Sequence, residues 1–127
     1  MPKKKEFADL ISVLQEQAAR IRKIEEQAKD TLENKNNVQE YNQEIKKKAE
    51  VLSQLPEVAY PMLEHLPREM QSEVKTKLEE FAGNAEQSMQ VNSPFFMSML
   101  LYPEDYQEGD NNDLEELIQY LRKNLKN

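Results

Sequence analysis

The sequence predicts an all-α protein, an up-down helical bundle of about four main helices joined by short proline-bounded helices. Three observations carry this. Apolar residues recur every three to four positions over long stretches. Glu, Lys, Gln, Leu and Ala dominate a chain of 127 residues that holds only two glycines, the composition of helix-rich proteins. Almost no stretch has the alternation or β-branched density of a strand. With 32% charged residues and a mean hydropathy of -0.90 the chain approaches the composition of disordered proteins, but its helical periodicity argues for a packed core. The length fits one domain over 1–127, divided into a helical hairpin over 5–55, a proline-rich corner over 56–66 and a C-terminal helical half over 67–126.

The first helix is expected over 5–33, about 43 Å at 1.5 Å per residue. Phe7, Leu14, Ile21 and Ala28 stand at heptad spacing, flanked by Leu10, Ile11, Ala18, Ile24 and Leu32. Glu16 with Arg20 and Glu25 with Lys29 have the i to i+4 order of outer-face pairs. Asn34-Lys35-Asn36-Asn37 breaks the pattern. Asn37, with Glu40 three residues on, reads as the cap of a second helix over 38–55, whose stripe is Val38, Tyr41, Ile45, Ala49, Leu52 and Leu55. Both stripes are narrow, as in helices that pair in coiled-coil fashion. The first helix exceeds the second by about 16 Å on the same rise. Pro56, Pro61 and Pro67 argue against one continuous regular helix beyond Leu55. Val58, Tyr60, Met62, Leu63 and Leu66 are therefore read as a packed corner over the far end of the first helix.

A third helix is expected over 67–90, opened by Pro67 and carrying Met70, Val74, Leu78, Phe81, Ala85 and Met89 straight through Gly83-Asn84. Glu73 with Lys77 fits its outer face. Ser93-Pro94 then reads as a cap followed by proline at the first helical position. It opens an apolar plug at 93–103 in which Phe95, Phe96, Met97, Met99, Leu100, Leu101 and Tyr102 point to all sides until Pro103 ends it. An acidic loop, Glu104 to Asn112, precedes a last helix over 113–126. Asp113 and Glu116 are read as its cap, Leu114, Leu117, Ile118, Leu121 and Leu125 as its buried stripe, and Arg122, Lys123 and Lys126 as cations at the negative end of its dipole.

The same residues narrow the function. No cysteine is present, which excludes disulfides and thiolate metal sites. His65 is the only histidine, so paired-histidine motifs are absent, and the Glu-x-x-His of di-iron bundles would need a glutamate where Met62 stands. Glu79-Glu80 and Glu115-Glu116 occupy adjacent helical positions that diverge by about 100°. An enzyme is not expected, and no cofactor or small-molecule substrate is indicated.

Net charge is -7, with eleven Lys or Arg against ten Asp or Glu in residues 1–50 and six against fourteen in 51–127. An acidic C-terminal half repels phosphate backbones, so no nucleic acid is expected. Lys3-Lys4-Lys5 and Lys46-Lys47-Lys48 are read as solvated helix faces. No segment has the length and apolarity of a membrane span or the h-region of a leader, so no membrane contact and a cytoplasmic location are expected.

What remains is recognition of protein. The chain is read as a non-catalytic protein–protein interaction module, such as an adaptor, a chaperone-like factor or a small regulatory subunit. Its binding surface is drawn from Met89, Phe95, Phe96, Met97, Met99, Leu100 and Tyr102, because methionine and aromatic side chains repack readily around apolar partners. The partner is another protein or a second copy of the chain. The alternative is a self-assembling coiled-coil structural protein, a homodimer built on the first two helices. Calcium ranks below both: with Gly109 at the sixth place of an EF-hand loop, Glu104, Glu108, Asp110 and Glu115 fall at ligand places, but Tyr106 takes the third and offers no carboxylate.

Overall fold

The computed structural model describes residues 2–125, with side chains from Phe7 to Asn124. Five helices follow one another: α1 Pro2–Asn34, α2 Val38–Leu63, α3 Arg68–Gln90, α4 Pro94–Met99 and α5 Asp113–Leu125. No strand occurs among the described residues, and the fold is the expected all-α bundle. Lys126 and the side chains of Lys3, Lys4, Lys5 and Leu125 lie outside the described residues.

The chain reverses after α1 through Asn36, whose φ of 55 lies in the left-handed region that asparagine tolerates better than most residues. Asn37 caps α2 as expected, its Oδ1 accepting from the Glu40 N–H at 3.0 Å. Thr31 donates to the Glu44 carboxylate at 3.0 Å, and Lys48 meets Glu25 at 2.9 Å. These contacts fix an antiparallel register that places Leu63, at the end of α2, about level with Leu10 of α1.

The break expected at Leu55 does not occur. α2 runs on to Leu63 with Pro56 and Pro61 inside it, and the corner shrinks to Glu64–Pro67. The cause is the continuity of the buried face: Leu52, Leu55, Ala59 and Leu63 keep spacings of three and four and are all buried, whereas Pro61 lies on the exposed side. A proline inside a helix costs about 3 kcal/mol, and full burial of one leucine returns about 1.5–3 kcal/mol. The longer α2 thus covers the part of α1 that the corner was expected to cover. The Gln71 side-chain amide closes the remaining turn by donating to the carbonyls of Glu64 and Leu66 at 3.1 and 2.8 Å.

α3 passes through Gly83 without interruption. Ser93 caps α4 by accepting from the Phe96 N–H at 3.1 Å, and Pro94 takes the first turn. The plug is shorter than expected: helical geometry ends at Met99, since Leu100 is extended and Leu101 has a φ of 77. That left-handed turn costs a leucine about 1–2 kcal/mol. It turns the Leu101 carbonyl toward α5, where it accepts from the Asp113 N–H at 2.9 Å.

The cap of α5 lies one residue earlier than expected. Asn112 accepts from the Glu115 N–H at 2.9 Å and Glu115 accepts from the Asn112 N–H at 2.8 Å, a reciprocal capping box. α4 rests on α2 and α3, and α5 packs chiefly on α1. Arg22 meets Glu115 near the start of α5 and Gln15 meets Arg122 near its end, so α5 runs antiparallel to α1. One core joins the layers, with Leu10, Leu14, Ile21, Leu52, Leu78, Leu114 and Leu121 fully enclosed. No helix of the described residues is long and apolar enough to cross a membrane.

Candidate functional site

Two features lie where α4 and the loop after it meet the bundle. The first is a polar clasp. Lys48, expected in solvent with Lys46 and Lys47, is 0% exposed. It occupies the inward face of α2 three residues after Ile45 and four before Leu52. A buried lysine must be paired, and this one is: its Nζ lies 2.9 Å from Glu25, donates to the Ser98 carbonyl at 2.9 Å and stands 4.7 Å from the centre of the Tyr102 ring. Glu25 therefore turns inward instead of pairing with Lys29 on the outer face. It also accepts from the Tyr102 hydroxyl at 2.6 Å.

Arg22 completes the clasp. It donates to the Tyr102 hydroxyl at 3.1 Å and to the two oxygens of Glu115 at 3.1 and 2.7 Å, a bidentate pair. Titration follows from these contacts. Burial holds the Lys48 ammonium below the ordinary lysine value, opposed by the Glu25 charge. Burial and the bond to Glu25 push the Tyr102 phenol well above its ordinary value. The bond to Glu115 raises Arg22 further. Burial would raise the Glu115 carboxyl, but the Arg22 bond, the Asn112 N–H and the Arg22 charge outweigh it and hold it below the usual range.

The second feature is a trough of about 640 Å³ between α3 and α5, open because these two helices hardly touch along their backbones. Leu52, Phe81, Leu100, Leu101 and Leu117 form its apolar lining. Its charged rim carries Glu73, Glu80, Asp113 and Glu116 against Lys77 alone. Burial pushes the Asp113 carboxyl up; Lys77 opposes this, while Glu116, Asp105 and Glu80 add to it. The Tyr120 hydroxyl donates to Glu73 at 2.5 Å, bridging α5 to α3. At the other end the trough opens into a second cavity of about 450 Å³, which shares Asn84, Leu100, Leu101 and Asp113 with it and leads to Val91, Phe96 and Met99.

The seven residues expected to bind a partner divide among these surroundings. Phe95, Phe96 and Met99 are 67%, 55% and 46% exposed and form an apolar surface beside Val91. Leu100 is half-buried and lines both cavities. Met97 is 1% exposed and belongs to the core, with Met89 packed against it from the partly buried layer. Tyr102 is half-buried and belongs to the clasp. The acidic loop does not gather ligands: among the described residues no three carboxylates or histidines converge on one point, and Glu115 is engaged by Arg22.

Sequence reasoning missed Lys48, Glu25 and the trough. The signal for Lys48 was present, because Tyr41, Lys48 and Leu55 stand seven apart on the apolar stripe. The trough had no such signal, since Glu80 read as one of two diverging neighbours and Glu116 as a capping partner of Asp113, and nothing in either helix pointed to the other. In comparison with protein-family models, curated proteins and solved structures, the chain matches none.

Proposed function

We propose that the chain is a non-catalytic protein–protein interaction module, an acidic adaptor or small regulatory subunit, that receives an amphipathic helix along the face built by α3, α4 and α5. The observation that carries this reading is the continuity of the trough with the exposed Phe96 and Met99. An apolar furrow between two helices, ending on exposed aromatic and methionine side chains, has the shape of helix-in-groove recognition. Exposed apolar area of this kind marks interaction sites on folded proteins. The shifted groups of the clasp are bonded to one another, and only Tyr102 among them also borders the second cavity, which fits a structural role for them.

A photoreactive amino acid at position 96 tests this. A discrete adduct should form in native extract, should disappear with Met99→Asp, and should not form from Lys46, an exposed residue of α2 that lines neither cavity. Equal labelling from both positions would sink the reading. The self-assembling coiled coil has less support, because Leu14, Ile21 and Leu52 are already fully enclosed within one chain.

A further inference from the structure

We infer that the occupant of the trough is a basic amphipathic helix, with lysines or arginines flanking an apolar stripe, supplied by a different protein. This rests on the helix-in-groove reading above and adds the chemistry of the partner. Around the apolar floor the charged groups are Glu73, Glu80, Asp113 and Glu116 on two facing helices, with Lys77 the one cation of the lining. The carboxylates stand on both rims, Glu73 and Glu80 on α3, Asp113 and Glu116 on α5. A helix lying between the rims therefore meets negative charge on either flank. Residues 51–127, from which all the lining residues come, hold six cations against fourteen anions, so the long-range field has the same sign as the rim.

The walls also set a length. On α3 the lining runs Ser72, Thr76, Glu80 and Asn84 in steps of four, a straight wall of about 18 Å at 1.5 Å per residue, or about 12 residues of a docked helix. The continuation past Leu100 to Phe96 adds about one turn. Ser72 and Thr76 are short side chains that leave room for leucine-sized anchors. A second copy docking the same acidic, α3–α5 face would set carboxylate against carboxylate, which disfavours self-occupancy of this surface.

The test uses the full chain with methyl-labelled methionine and two designed helical peptides of about 16 residues. They share one leucine stripe at i, i+3, i+4 and i+7, flanked by lysines in one and glutamates in the other. The lysine-flanked peptide is expected to shift the Met99 methyl resonance and to bind about tenfold tighter at low ionic strength. That preference should shrink toward parity in about 1 M salt and reverse in the Glu80→Lys/Glu116→Lys variant. Equal binding of the two peptides, or tighter binding of the glutamate-flanked one, overturns the charge inference and leaves the groove standing. No binding of either peptide to a folded chain overturns both. A dimer in light scattering that the same two substitutions dissolve overturns the assignment to a different protein.

Discussion

Removing the charge of Glu25 while keeping its shape, by Glu25→Gln, should be among the most damaging near-isosteric changes in this protein. Lys48 is 0% exposed, and its charge partner within bonding distance is the Glu25 carboxylate at 2.9 Å. Breaking a buried ion pair from one side costs about 3–5 kcal/mol, because the remaining charge stays desolvated. The glutamine oxygen can still accept from Lys48, so the lower end, about 3 kcal/mol, is expected. For a chain of this size that corresponds to a fall in Tm of about 10–15 °C. Urea unfolding followed by circular dichroism at pH 7 measures the loss.

The cause is identified by pH. Lys48 in the folded state titrates below its ordinary value of 10.5, and losing Glu25 lowers it further. Between the folded and unfolded values the unfolded chain binds more protons, so stability rises with pH across that window. Tyr102, raised in the folded state from its ordinary value of 10.0, acts in the opposite direction, since the unfolded phenol loses its proton first. Stability from that source falls only above the ordinary tyrosine value. The Glu25→Gln variant should therefore regain part of its loss between pH 7 and about 9.5. Adding Lys48→Met should recover most of the remainder, because well-packed apolar groups often replace a buried ion pair without loss. A loss below about 1 kcal/mol, or one that is flat over that pH range and unchanged by Lys48→Met, would refute the reasoning.

Three further outcomes are expected. Phe96→Asp and Met99→Asp should change unfolding free energy by no more than about 0.5 kcal/mol, whereas Met97→Ala should cost about 2–5 kcal/mol; paired urea titrations compare them. Gly83→Ala should stabilise by about 0.5–1 kcal/mol, since the added methyl meets nothing within 4 Å and alanine is the better helix former; thermal melts read the gain. Glu115 titrates below its ordinary value of 4.5 when folded, so its contribution is present above that value and lost as pH falls through the folded one. The stability gap between the native chain and Glu115→Gln should be about 1–2 kcal/mol at neutral pH, reduced from a fully buried pair by the 35% exposure of Arg22, and should close on acidification in equilibrium unfolding.

The bundle was legible because periodicity reports burial directly. The stripes of α1 up to Ala28, of α3, and of α5 up to Leu121 are where the spacing puts them, while Leu32 is exposed; the caps at Asn37 and Ser93 also stand where expected. Rules about single residues failed where tertiary burial outweighed them. Pro56 and Pro61 did not end α2, because the apolar face continued past them. Asn112 displaced Asp113 as the cap because Glu115, held by Arg22 from α1, supplies the reciprocal bond. Of the binding surface, Phe95, Phe96 and Met99 could be picked out as apolar, but not that they would be outside while Met97 turned in. That division depends on α4 ending after six residues, which Leu101 in its left-handed turn decides. The acidic rim needed α3 and α5 to be brought face to face, and a sequence pattern within one helix carries no information about its distance from another.

The clasp also sets an order of assembly. Arg22 waits for Glu115, 93 residues later in the chain, and Glu25 for Tyr102, 77 residues later. At ribosomal speeds of about 5–20 residues per second, the first of those intervals lasts about 5–20 s. Helix formation is faster by many orders of magnitude. The α1–α2 hairpin therefore has ample time to form before its polar partners exist, with Lys48 and Glu25 already facing each other and their outer side wet. Contacts so far apart in sequence form more slowly than the hairpin, so burial of that pair is expected to follow formation of the hairpin rather than to nucleate it. A nascent chain stopped short of Tyr102 keeps an open, hydrated seam where the finished protein has a sealed one, and hydrogen exchange on such stalled chains should show α2 amides near Lys48 exchanging faster than those near Leu55.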